Sequence, residues 1–133
     1  MGCRAGKATR YGVHRITPPV DIDRQPCKRP CASFTPEDGD TVVTKQQWGA
    51  FYGTGLDLHL CRRGITQVVV AGIATSIGVE STARAAHEHG YHVTVVTDAV
   101  TDLHADAHRN SVENIFPRLG ETDTTQAVIA LPA

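Results

Sequence analysis

Three polar positions in this chain stand out for the chemistry they could do. Lys45 follows the β-branched run Thr41-Val42-Val43-Thr44 and precedes a loop holding Trp48, Phe51 and Tyr52. A partly desolvated lysine can hold an anion, or lose its proton more readily and take part in acid–base work. Thr75 and Ser76 sit in the turn Gly72 to Gly78, just before a helical pattern. Backbone N–H groups at such a helix start favour an anion or a developing oxyanion. Asp98 follows the run His92-Val93-Thr94-Val95-Val96-Thr97. The bland readings are an exposed terminal lysine, two helix caps and a strand-ending aspartate. The turn has neither the glycine spacing of a dinucleotide site nor a Gly-Lys-Ser/Thr phosphate loop. Neither hydroxyl lies in a nucleophile-elbow pattern.

The elements that must position these residues alternate. Thr41–Thr44 reads as a strand delivering Lys45. Thr54, with Asp57 three residues on, opens a helix that Gly64 ends. Gln67–Ala71 is a continuous apolar run, expected to be a strand buried on both faces. A helix from about Ile77 to His89 places Val79, Ala83 and Ala86 on one face, and Gly90 closes it. His92–Thr97 is the next strand, ended by Asp98. A helix from about Ala105 to Phe116 stops at Pro117, and a short one follows from Thr124 or Thr125 to Leu131. Alternation of this kind predicts a three-layer α/β fold with a mostly parallel sheet. Ligands in open sheets bind beyond the carboxyl ends of the strands. Lys45, Thr75-Ser76 and Asp98 all fall there.

The remaining groups point away from metal and nucleic acid. The four cysteines, Cys3, Cys27, Cys31 and Cys61, offer one i, i+4 pair and no second pair, so they read as free thiols of a cytoplasmic protein. His87 and His89 are two residues apart and face different sides of a helix, so no metal or other cofactor is expected. Seven basic and two acidic residues lie in 1–30, a net of +5. Residues 31–133 carry six basic and twelve acidic, a net of −6. Five of the seven prolines lie in the first 36 residues. Residues 1–38 therefore read as a mostly irregular segment, and 39–133 as the α/β domain. The scattered charges of the head make it a solvated connector, with no nucleic-acid partner expected. No stretch approaches 18 consecutive apolar residues, so no membrane partner is expected either. At 133 residues the chain has the size of one domain.

Two long motifs resemble one family. Val43-Thr44-Lys45, Trp48-Gly49-Ala50-Phe51-Tyr52-Gly53-Thr54, Leu56-Asp57 and Arg63-Gly64-Ile65 form the first. The second runs from Gly72-Ile73-Ala74-Thr75-Ser76-Ile77-Gly78-Val79-Glu80 through Ser81-Thr82-Ala83-Arg84, with Gly90-Tyr91 and Asp98-Ala99 after it. Together they resemble the isochorismatase-like cysteine hydrolases, from about Asp40 onward. The resemblance implies hydrolysis of a small amide or vinyl-ether substrate by an oligomeric enzyme. It places Lys45 on the family lysine and Gly78 on the family cysteine. It places Trp48, Phe51, Tyr52, Ala74, Thr75, Ser76 and Ile77 around the substrate, with a cis peptide bond at Ile73–Ala74. Glycine at position 78 removes the thiol nucleophile and leaves general acid catalysis by the family aspartate. Asp23, in Asp23-Arg24-Gln25, matches that aspartate's three-letter pattern but lies among prolines. The family's first strand, helix and second strand are not recognisable. That suggests the later part of a larger domain with an exposed sheet edge, giving a marginal monomer or an oligomer. The alternative is an inactive, truncated paralogue serving as a ligand-binding or oligomerisation module.

Overall fold

A computed structural model describes residues 38–131. The irregular reading of the proline-rich head, Asp23, and three of the four cysteines lie outside the described residues. The element order is α1 (Leu56–Arg62), β1 (Gln67–Ile73), α2 (Glu80–Glu88), β2 (His92–Thr101), α3 (Ala105–Asn110), α4 (Phe116–Leu119), β3 (Glu121–Asp123) and α5 (Thr125–Ile129). Single π-helical turns, Thr75–Val79 and Ser111–Ile115, lead into α2 and α4. The three strands form a parallel sheet in the order β1-β2-β3. The α/β fold with helices packed on a parallel sheet is thus present.

The core forms where apolar faces meet the sheet. Val79, Ala83 and Ala86 of the α2 face are buried, as the helical period requires. They pack with Val70, Val93, Val95, Phe116, Leu56 and Leu60. Gly64 and Gly90 take positive φ (67° and 87°) just after α1 and α2, where a side chain would be strained. Thr54 accepts a hydrogen bond from the Leu56 N–H at 3.2 Å, although Gly55 is the capping residue of α1.

Four local expectations are corrected. Thr41–Thr44 is not a strand. Among the described residues no strand pairs with it, and it is held by side chains: Thr41 Oγ1 lies 2.7 Å from His59 Nε2, and Val43 packs against the core. Strand β1 is not buried on both faces. Gln67, Val69, Ala71 and Ile73 are exposed, at alternate positions that share one face, and no element among the described residues covers that face. Leu58 is exposed too, lying off the Leu56/Leu60 row of α1. Pro117 does not stop its helix. It sits in the first turn of α4, where a missing N–H costs nothing. Asp98 does not end β2. The register slips between Val70↔Val95 and Gly72↔Val100, so Val96–Ala99 bulges and the strand continues to Thr101. Strand β3, Glu121–Asp123, is short, polar and exposed, and gave no hydrophobic pattern to read.

Candidate active site

The carboxyl ends of β1 and β2 meet the loop that carries Lys45. Lys45 is 9% exposed. Its ammonium donates to the Gln47 carbonyl at 3.0 Å and the Trp48 carbonyl at 2.6 Å. An ammonium has three donors, so one is left over among the described residues. Burial holds the Lys45 amine below the ordinary lysine range, because desolvation penalises the charged form.

The turn after β1 lies directly opposite. The Ile73–Ala74 peptide bond is cis, at the position expected. The Ala74 carbonyl accepts from the N–H groups of Ile77 (3.2 Å) and Val79 (3.1 Å). Thr75 is fully buried, with Oγ1 2.9 Å from Nδ1 of His108 on α3. Ser76 donates to Asp102 Oδ2 twice, from N–H and from Oγ, both at 2.7 Å. Gly78 comes next. A Cβ built there would lie 3.6 Å from the Ile73 and Trp48 carbonyl oxygens and 3.9 Å from Lys45 Nζ. These are ordinary van der Waals distances. The position therefore has room for a side chain, and that side chain would start beside the amine. Behind it, Thr82 Oγ1 donates to the Gly78 carbonyl at 2.7 Å and accepts from the Ala50 N–H at 3.2 Å.

The structure thus brings together Lys45, Ala74, Thr75, Ser76, Ile77 and Gly78. It does not bring Phe51 there. Phe51 is buried at the other end of the sheet, its ring stacked on His89 with centroids 5.1 Å apart. Trp48 contributes its carbonyl to the Lys45 amine, while its side chain and that of Tyr52 are 68% and 74% exposed. Both line an open hollow of about 410 Å³ with Gln47, Gly49, Ser81 and Ala85. Asp98 is spent elsewhere: its Oδ1 accepts from Thr125 N (2.7 Å) and Oγ1 (2.9 Å) at the start of α5. Those bonds hold its carboxyl below the usual aspartate range.

Asp102 and His108 are the residues that sequence reasoning missed. Asp102 belongs to the carboxyl end of β2 because the bulge carries the strand past Asp98. The apolar residue Val100 after Asp98 was the available signal that the strand resumes. Among the described residues no group of three or more His, Cys, Asp or Glu could hold a metal ion. The isochorismatase domain model matches residues 11–127.

The chain belongs to the isochorismatase family. The match starts well ahead of Asp40, where the motifs first become legible. An isochorismatase family protein of Bacillus subtilis, YwoC, is 52% identical over 99 residues, covering 71% of this chain and 52% of that protein. Maleamate amidohydrolase of Pseudomonas putida is 32% identical over 105 residues, covering 79% and 49%. The chain spans about half the length of these curated relatives. Among solved structures, an isochorismatase family protein from Burkholderia thailandensis superposes with a TM-score of 0.71 at 42% identity, covering 82% of this chain and 67% of that one. A Staphylococcus aureus nicotinamidase superposes with a TM-score of 0.60 at 30% identity, covering 62% and 52%.

Proposed function

We propose that this isochorismatase-family chain serves a hydrolase acting on a small amide or vinyl-ether substrate, without a cysteine nucleophile. One observation carries this reading: the Gly78 turn leaves room for a side chain beside the desolvated Lys45 amine, which keeps one donor unspent among the described residues. A desolvated ammonium stabilises negative charge more strongly than a hydrated one. Lys45 would hold the substrate oxygen on which charge develops. A small substrate, or the water that attacks it, would occupy the space a side chain at 78 would take. Ala74, Thr75, Ser76 and Ile77 would border that space, and Trp48 and Tyr52 would flank its outer side. For a vinyl ether the chemistry needs a proton delivered to carbon, after which water adds and the alcohol leaves. Asp23 is the candidate general acid.

Asp102 is a poor proton donor at neutral pH. Three hydrogen bonds to its carboxylate hold it at about 2. Cytoplasmic residence and an oligomer belong to the same reading. The β1 edge, which no strand covers among the described residues, favours an oligomer.

The purified protein should be assayed with isochorismate and a panel of small amides, beside Lys45→Ala. Turnover above background that falls in the variant supports the proposal. Unchanged turnover in Lys45→Ala removes the role given to Lys45. No turnover of any substrate favours the second reading, an inactive paralogue. The lack of any nucleophilic side chain at position 78 supports that reading.

A further inference from the structure

The turn that carries Gly78 is gripped by two side chains from the other strand's end. Asp102 lies just past β2, and its Oδ2 takes both the N–H and the hydroxyl of Ser76. Its Oδ1 accepts from the His104 N–H at 3.1 Å, which ties the same carboxylate to the loop before α3. Hydrogen bonds to a carboxylate are stronger and shorter than neutral ones. Both Ser76 bonds, at 2.7 Å, are of that kind. One residue earlier, buried Thr75 meets His108. Ser76 is two residues from Gly78, so a shift at Ser76 moves the backbone that faces Lys45.

We infer that Asp102 is a positioning residue: by clamping Ser76 it sets the separation between the residue-78 backbone and the Lys45 amine. It touches no reacting atom. The inference rests on the reading that Lys45 and the Gly78 turn form one site, and it deepens that reading by naming what holds the two halves in register.

The space at position 78 admits a reporter. In Gly78→Cys the new thiol starts beside Lys45 Nζ, and a neighbouring ammonium favours the thiolate. Its pKa is read from the pH dependence of iodoacetamide alkylation, followed by mass spectrometry on the peptide containing residue 78, so other cysteines do not interfere. In the parent variant this thiol should titrate at about 7.5 or below, against about 8.5 for an unperturbed cysteine. Adding Asp102→Ala should raise it back toward about 8.5, because the turn drifts from the amine. The sign discriminates. Simply deleting a nearby negative charge would lower a thiol pKa, so only lost geometry raises it. Asp102→Asn keeps an acceptor for Ser76 and should restore most of the depression. Ser76→Ala, which removes one of the two bonds and is the milder variant, should raise the pKa part-way. Circular dichroism checks that each variant is folded.

An Asp102→Ala thiol that stays low or drops further overturns the inference. So does an equal rise in Asp102→Asn, since an acceptor for Ser76 would then not be what holds the turn. An ordinary thiol pKa in the Gly78→Cys parent overturns it too, because residue 78 and Lys45 would not be neighbours. The readout needs no turnover. An inactive protein with the expected thiol shifts would refute the hydrolase reading while leaving the clamp intact.

Discussion

The two ends of the sheet carry similar side chains and use them differently. At the carboxyl end, Lys45 is buried with one donor unspent among the described residues, and Gly78 leaves ordinary van der Waals room beside it. At the amino end, polar groups satisfy one another. Tyr91, just before β2, donates to Asp57 Oδ1 of α1 at 2.7 Å, and its hydroxyl lies 3.4 Å from Cys61 Sγ. His89 Nδ1 is 3.6 Å from the same Asp57 oxygen, and its ring stacks on Phe51. Gly120, which leads into β3, has no room at all: a Cβ there would lie 2.1 Å from the Val93 carbonyl oxygen. The amino end is a closed staple between α1, α2 and β2. At the carboxyl end a buried amine stands beside a glycine with room for a Cβ. Polar residue types alone do not distinguish a site from a staple. Unused donors and free space do.

Substitutions at the two ends should separate these roles. The largest effect is expected at Gly120. Gly120→Ala should destabilise the protein by about 3 kcal/mol, since the Val93 backbone must move to admit the methyl group. A urea melt showing no loss would mean the amino end is not closed. Lys45→Ala should lower kcat/KM on any substrate found by about 100-fold, the scale of losing one charge-stabilising donor, with the far-ultraviolet spectrum unchanged.

Tyr91→Phe should cost about 1 kcal/mol for one hydrogen bond and leave turnover unaffected. A drop in activity there would erase the distinction between the two ends. The same variant has a pH signature. Burial, then the bonds to Cys61 and Asp57, hold the Tyr91 phenol well above its ordinary 10.0. The stability this lends is whole below that value, where the unfolded phenol is also protonated. It is lost as pH rises beyond it, because at first only the unfolded chain ionises. Wild type should therefore weaken above about pH 10 more steeply than Tyr91→Phe, as alkaline thermal melts would show. Gly78→Ala is the smallest change. It should leave stability unchanged or raise it by up to about 1 kcal/mol, because alanine suits a helical turn better than glycine. A marked loss would show that position 78 has no room for a side chain.

Local patterns made much of this legible. The 3.6-residue spacing of Val79, Ala83 and Ala86 announced the buried face of α2, and Gly64 and Gly90 announced the helix ends. Short motifs around Lys45 and Gly78 carried the family resemblance. Other features depend on partners distant in sequence. Thr41–Thr44 has β-branched composition but no strand beside it among the described residues, and pairing, not propensity, makes a strand. Pro117 looks like a stop until its place in the first turn of α4 is known. Strand β3 has no apolar residue to betray it and is held by its pairing with Thr94–Val96.

What the amino-acid sequence determined by itself is the family and the α/β class. These rest on local order: residue types at short, fixed spacing. Tertiary structure decided which carboxylate stands at the carboxyl end of β2, because a bulge invisible in the hydrophobic pattern carries the strand from Asp98 to Thr101. It likewise decided that Phe51 is core while Trp48 and Tyr52 are surface. Within one aromatic loop, only the packing of α1, α2 and β2 determines which ring is buried.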